Sequence, residues 1–161
     1  MGVSDGPPPF QLFLDTHRDE VWRLLVRSVG PLDAEDCFQE TFIAALRAYP
    51  RLKDGSNLRA WVLTIAGRKA IDAHRARSRR EVPVAEPDAL DERAHRPAAE
   101  RDEELWMAVE SLPERQRSAV VLRCVGDMRH RDIAAAMGCS ENAARRSLHE
   151  GLSKLRKVVP S

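Results

Sequence analysis

The chain of 161 residues is 32% charged and 43% hydrophobic, with a formal net charge of only +1. That composition suits one ordinary folded domain or two small ones, not a disordered segment. No run approaches the roughly 18 apolar residues of a membrane span, and the proline-rich start through Pro9 lacks the basic-then-apolar order of a signal peptide. A cytoplasmic protein without membrane insertion is therefore expected. Cys37, Cys124 and Cys139 are odd in number and widely spaced, which excludes a disulfide framework and a zinc-finger spacing.

In chain order, Phe10, Phe13/Leu14, His17, Val21, Leu24/Leu25 and Val29 recur at helical spacing, and Gly30-Pro31 ends the run. Asp33 is expected to N-cap a second helix, with Asp36 in its first turn and Cys37, Phe38, Thr41, Phe42, Ala45 and Leu46 on its apolar face. Asp54 to Asn57 predict a turn, and Asn57 a cap for a third helix through Leu58, Trp61/Val62 and Ile65/Ala66 toward Arg80. From Glu81, the helix breakers Pro83, Pro87 and Pro97 and a loss of apolar periodicity predict an acidic linker over 81–103. Leu105, Trp106, Val109 and Leu112 then predict one helix, and Pro113 the first position of another that stops at Gly126-Asp127. A short helix from about Arg129 to Met137 ends at Gly138. Ser140 caps a final helix with Ala144, Leu148, Leu152, Leu155 and Val159 on one face. The expected fold is all-α, with two small helical units over 10–80 and 104–158.

The near-zero total charge hides strong alternation. Residues 10–43 carry a net −4, 44–80 a net +8, 81–103 a net −5 and 129–161 a net +4. A basic block therefore closes each unit, as phosphate contact requires, although a single such run is more often a solvated face. In the last block a short helix, Gly138-Cys139-Ser140 and a longer helix predict a helix-turn-helix. Its outer face carries Asn142, Arg145, Arg146 and His149, with Ser140 near the first free N–H groups; Arg and Asn suit the edges of guanine and adenine. In the first basic block Arg68, Lys69, Arg75, Arg77, Arg79 and Arg80 are candidates for nucleic-acid backbone contact, whereas Trp61 beside Ile65 is more often core than a stacking platform. Asp33, Glu35, Asp36, Gln39 and Glu40 predict an exposed acidic helix face, suited to solvent or to a basic protein partner and not to DNA.

Three function classes fit unequally. A stand-alone helix-turn-helix regulator would use 10–80 for dimerisation or ligand binding, but a dimerisation helix prefers an apolar exposed stripe to four acids and a Gln. An enzyme is poorly supported: His17, His74, His95, His130 and His149 are scattered, and no glycine-rich phosphate loop occurs. No cofactor or metal is expected. Cys139, near a helix N-terminus, is either a redox-sensitive thiol or, more simply, a small packed residue.

The remaining class rests on specific segments. Asp33-Ala34-Glu35-Asp36 with Gln39-Glu40-Thr41-Phe42, then Arg59-Ala60-Trp61-Val62 through Ile65-Ala66, Asp72 and Arg75, resemble region 2 of the extracytoplasmic-function sigma factors, a class of the bacterial sigma-70 family. Ser111-Leu112-Pro113-Glu114-Arg115-Gln116-Arg117, Val121-Leu122-Arg123, Asp132-Ile133-Ala134, Met137-Gly138 and Ser140-Glu141 resemble region 4. The resemblance implies a promoter-specificity subunit of RNA polymerase and no catalytic residue. It implies that Asp33, Glu35, Asp36, Gln39 and Glu40 dock on the β′ subunit of the core polymerase. Arg59, Trp61, Arg68, Lys69, Arg75, Arg77, Arg79 and Arg80 would meet the −10 element. The C-terminal unit would bind the β flap and set Ser140, Glu141, Asn142, Arg145, Arg146 and His149 in the −35 major groove. An anti-sigma factor is a further implied partner. Two departures bear on specificity: Gly67-Arg68-Lys69 stands where the family commonly has an Asn, and Asn142-Ala143-Ala144-Arg145-Arg146 replaces the usual recognition-helix run.

Overall fold

A computed structural model describes residues 6–80 and 98–158; the linker through 97 and Val159 lie outside the described residues. Seven α-helices and no strand occur among the described residues: α1 (Phe10–Val29), α2 (Pro31–Ala48), α3 (Leu58–Arg80), α4 (Ala98–Glu110), α5 (Glu114–Cys124), α6 (His130–Met137) and α7 (Glu141–Val158). The all-α expectation holds. Helix α4 begins inside the stretch assigned to the linker.

Local chemistry sets most boundaries. The Asn57 side-chain oxygen accepts from the Ala60 N–H at 3.1 Å, and Ser140 Oγ accepts from the Ala143 N–H at 3.1 Å, so both expected N-caps form. Asp33 does not cap α2. The helix starts earlier, at Pro31 with Gly30 as cap, because proline at the first position gives up an N–H that has no intrahelical partner anyway. Asp33 instead lies in the first turn, where an acid favours the helix dipole. Helix α6 stops at Gly138, whose φ of 66° is left-handed, the conformation glycine adopts without steric cost.

Helices α1, α2 and α3 pack around an aromatic cluster. Phe13, 1% exposed, has ring centroids of Phe10, Tyr49, Trp61 and Phe42 within 5.2–6.3 Å, each such pair contributing about 0.5–1.5 kcal/mol beyond area burial. Thr41 is buried and satisfied by donating to the Cys37 carbonyl at 2.6 Å. Leu46, expected in this core, is 54% exposed; the buried face of α2 is Ala34, Cys37, Thr41, Phe42 and Ala45. Helices α4 to α7 form the second unit around Val120, Val121, Leu122, Ile133, Ala144 and Leu148. Leu112 lies beyond the end of α4 yet is buried.

The units are not separate bodies. α3 packs on α5 and α6, and α1 on α5. The Arg27 guanidinium stacks over the Trp106 ring 4.3 Å from its centroid.

Candidate nucleic-acid interface

Three surfaces carry the residues singled out from the sequence. On α2, Glu35, Asp36, Gln39 and Glu40 are exposed and Asp33 is half-buried, with Asp33 Oδ2 3.2 Å from Arg77 Nη1 of α3. The acids form a coherent negative field. Cys37, directly beneath them, has its thiol pushed up to about 11, first by burial and then by Glu40, Asp33 and Asp36. Sequence reasoning missed the apolar component of this surface. Leu32 is 91% exposed, Ile43 49%, and Leu46 joins them. Positions 32, 36, 39, 43 and 46 advance by alternating steps of four and three, the spacing of a helix seam made for a second helix. That period was present in the sequence, offset from the core stripe that masked it.

On α3 the basic residues do not share one environment. Arg77, Arg79 and Arg80 are exposed at the C-terminal end, while Lys69 is half-buried. Arg59 is held by Glu20, Nε to Oε2 at 3.1 Å, and its Nη2 donates to the Gly126 carbonyl at 2.8 Å. Arg68 Nε donates to the Ala135 carbonyl at 3.1 Å, and Arg75 Nε lies 3.7 Å from Glu114 Oε1. Trp61 has its ring against Phe13 and Tyr49, so it anchors the helix on which the arginines stand.

The third surface is the helix-turn-helix of α6, Gly138 and α7. Ser140, Glu141, Asn142, Arg145, Arg146 and His149 are all exposed; Asn142, Arg146 and His149 lie on the side of α7 opposite the buried Ala144, Leu148, Gly151 and Leu155, with Glu141 and Arg145 on one flank. Glu141 Oε1 accepts from Arg145 Nη2 at 2.8 Å, a pair that aims the guanidinium along the helix face more than it stabilises the fold. Arg146 reaches a groove toward α5 that Glu114, Arg115 and Gln116 also line. Gly151, unremarked in the sequence, lets α7 approach α5: a Cβ there would lie 2.8 Å from Val120 Cγ2.

Both units that carry these surfaces resemble known proteins. The Sigma-70 region 2 family matches residues 13–80 and the Sigma-70 region 4 family residues 102–155. The ECF RNA polymerase sigma factor SigD of Mycobacterium tuberculosis is 34% identical, over 91% of this chain and 74% of its own. RNA polymerase sigma factor CarQ of Myxococcus xanthus is 32% identical, over 98% and 91%. Among solved structures, the sigma factor RpoE of Bartonella quintana, in complex with the anti-sigma factor NepR, superposes with a TM-score of 0.71 at 21% identity, covering 92% of this chain and 95% of that one. CnrH, in complex with the cytosolic domain of CnrY, does so with 0.64 at 22%, covering 92% and 85%.

Proposed function

The chain belongs to the sigma-70 family, in its extracytoplasmic-function class, and is therefore a specificity subunit that directs RNA polymerase to promoters and not itself an enzyme; from that premise we propose which surfaces do the work. Asp33, Glu35, Asp36, Gln39 and Glu40 dock on the core polymerase, on a helix of its β′ subunit that carries basic residues around an apolar seam. The exposed stripe of Leu32, Ile43 and Leu46 supports this, because it supplies the apolar contacts such a helix pair needs while the acids set orientation and on-rate. Arg59, Arg68, Lys69, Arg75, Arg77, Arg79 and Arg80, on a helix positioned by Trp61, hold the −10 element. The second unit binds the β flap and seats α7 in the −35 major groove. On this reading 10–80 and 104–158 are the two working domains, and 81–103 joins them across the polymerase.

The observation that carries the proposal is the exposed row on α7, which follows a left-handed glycine turn and a Ser140 cap. Asn142, Arg145, Arg146 and His149 stand there with no protein covering them, and arginine and asparagine make the two-pronged contacts that discriminate base pairs. Among the described residues no helix is long and apolar enough to cross a membrane, and we place the protein in the cytoplasm with the polymerase. The Bartonella quintana relative was solved with an anti-sigma factor, and we extend that kind of partner to this chain.

Run-off transcription with bacterial core polymerase and a pooled promoter library tests the reading. Discrete transcripts should require the protein. The double variant Arg145→Ala/Arg146→Ala should keep core binding in a pull-down and weaken −35 duplex binding at least about tenfold, at ~1–3 kcal/mol for each good base contact. A double variant that binds the duplex as tightly as the parent removes α7 as the reading helix.

A further inference from the structure

The two neighbouring arginines of α7 are not equivalent. At about 100° per residue, the buried Ala144, Leu148, Gly151 and Leu155 fix the core side of the helix. Arg146 lies opposite them in a row with Asn142 and His149, whereas Arg145 stands on the flank beside Glu141. Arg145 is already spent there, since its Nη2 donates to Glu141 Oε1 at 2.8 Å. Guanine offers two acceptors, O6 and N7, to the major groove. An ionised carboxylate can only accept, so Glu141 carried along with Arg145 repels that edge.

Arg146 has an acid at the same four-residue spacing, Glu150, yet no ion pair joins them among the described residues. Glu150 instead accepts from Gln116 Nε2 of α5 at 3.2 Å. That bond draws the carboxylate across the groove that Gln116, Arg146 and Glu150 line between the two helices. Arg146 keeps its whole guanidinium fork for an outside partner. Asn142 is free as well, because Ser140 Oγ already takes the Ala143 N–H at 3.1 Å and caps the helix. The two free side chains stand four residues apart, about 6 Å along the helix at ~1.5 Å per residue. That is under two base-pair steps of ~3.4 Å.

We propose that Arg146, and not Arg145, reads a guanine of the −35 element, with Asn142 on an adenine within about two base pairs of it. Gln116 is a positioning residue on a second helix, which keeps Glu150 from neutralising the reader. This division of labour rests on the −35 reading of α7 given above.

The test sequences the duplexes that holoenzyme, made from core polymerase and the full chain, retains from a randomised pool. The parent should enrich a motif holding a guanine and an adenine at that spacing. Arg146→Ala should lower the guanine preference at least about tenfold. Arg146→Lys should lose it too, because lysine keeps the charge but not the fork. Asn142→Ala should relax the adenine, and Arg145→Ala should keep the whole motif. Gln116→Met keeps the side chain's bulk but cannot donate to Glu150. It should lower the guanine preference about twofold, the strength of an exposed pair at this spacing. In a Glu150→Gln background the same change should have no effect, which a merely structural role for Gln116 does not explain.

A parent that enriches no motif, or a motif unchanged by Asn142→Ala, Arg145→Ala and Arg146→Ala, removes α7 as the reading helix and the division of labour with it. A guanine preference lost with Arg145→Ala, or a base other than guanine lost with Arg146→Ala, overturns the division and leaves α7 in the groove. Gln116→Met without effect, or with the same effect in Glu150→Gln, overturns the role of Gln116 alone.

Discussion

Cys37 is a built-in reporter of the charge on α2. Its thiol is buried, and burial with Glu40, Asp33 and Asp36 pushes it up to about 11. Reversing two of those acids with Asp36→Lys/Glu40→Lys should lower the Cys37 pKa, read by thiol titration in a background with Cys124→Ser and Cys139→Ser. The same variant should weaken core-polymerase binding at least about tenfold, because like charges then face each other across the interface. A thiol shift with unchanged holoenzyme formation would mean that the field is real but is not the docking determinant. At this scale the sequence was most legible where one atom decides the outcome. The side-chain oxygens of Asn57 and Ser140 announce caps, and both form. Asp33 carries the same chemistry yet is displaced into the first turn, because Gly30-Pro31 starts the helix before it.

Among the elements, the run from Phe10 to Val29, the long basic α3 and the helix-turn-helix were readable from apolar period and turn residues alone. Less readable were contacts made by the absence of a side chain. Gly151 resembles a weak point in a helix, but α7 lies on α5 there, with the Gln116 carbonyl 3.2 Å and Val120 Cγ2 2.8 Å from where a Cβ would be. Gly151→Leu should therefore destabilise the second unit by about 1–3 kcal/mol, despite leucine's better helix propensity. Thermal or denaturant unfolding of the full chain checks this; a neutral or stabilising result would mean that α5 and α7 slide apart at little cost. The exposed seam of Leu32, Ile43 and Leu46 was hidden for a different reason. Its period runs beside that of the core, so Leu46 reads as buried until the helix is placed.

For the whole molecule, the packing of one unit on the other had no sequence signal, because the linker breaks the apolar pattern between them. At that seam His74 of α3 bonds through Nε2 to the Ser28 carbonyl of α1. Burial first, then Arg117 of α5, hold its pKa below the usual 6.5, with Arg77 of its own helix acting in the same sense and Glu114 of α5 opposing. The packing of the two units on each other thus favours neutral His74. Its contribution is complete above about pH 6.5 and is lost as pH falls below that value, since the released imidazole takes up a proton more readily. The radius of gyration should therefore grow from about pH 7.5 to about pH 5.5, and His74→Gln, which keeps a donor for Ser28 but does not titrate, should flatten that growth. An equal growth in His74→Gln would place the titrating group elsewhere. The tight approach at Gly67, where a Cβ would lie 2.8 Å from Leu122 Cδ2 and 3.1 Å from the Ala136 Cβ, also has a consequence for how this protein can change by inheritance. Every codon change away from glycine there inserts a side chain into the seam while leaving α3 a better helix. Alleles at this position should therefore act through the packing of α6 on α3 and not through loss of the α3 helix.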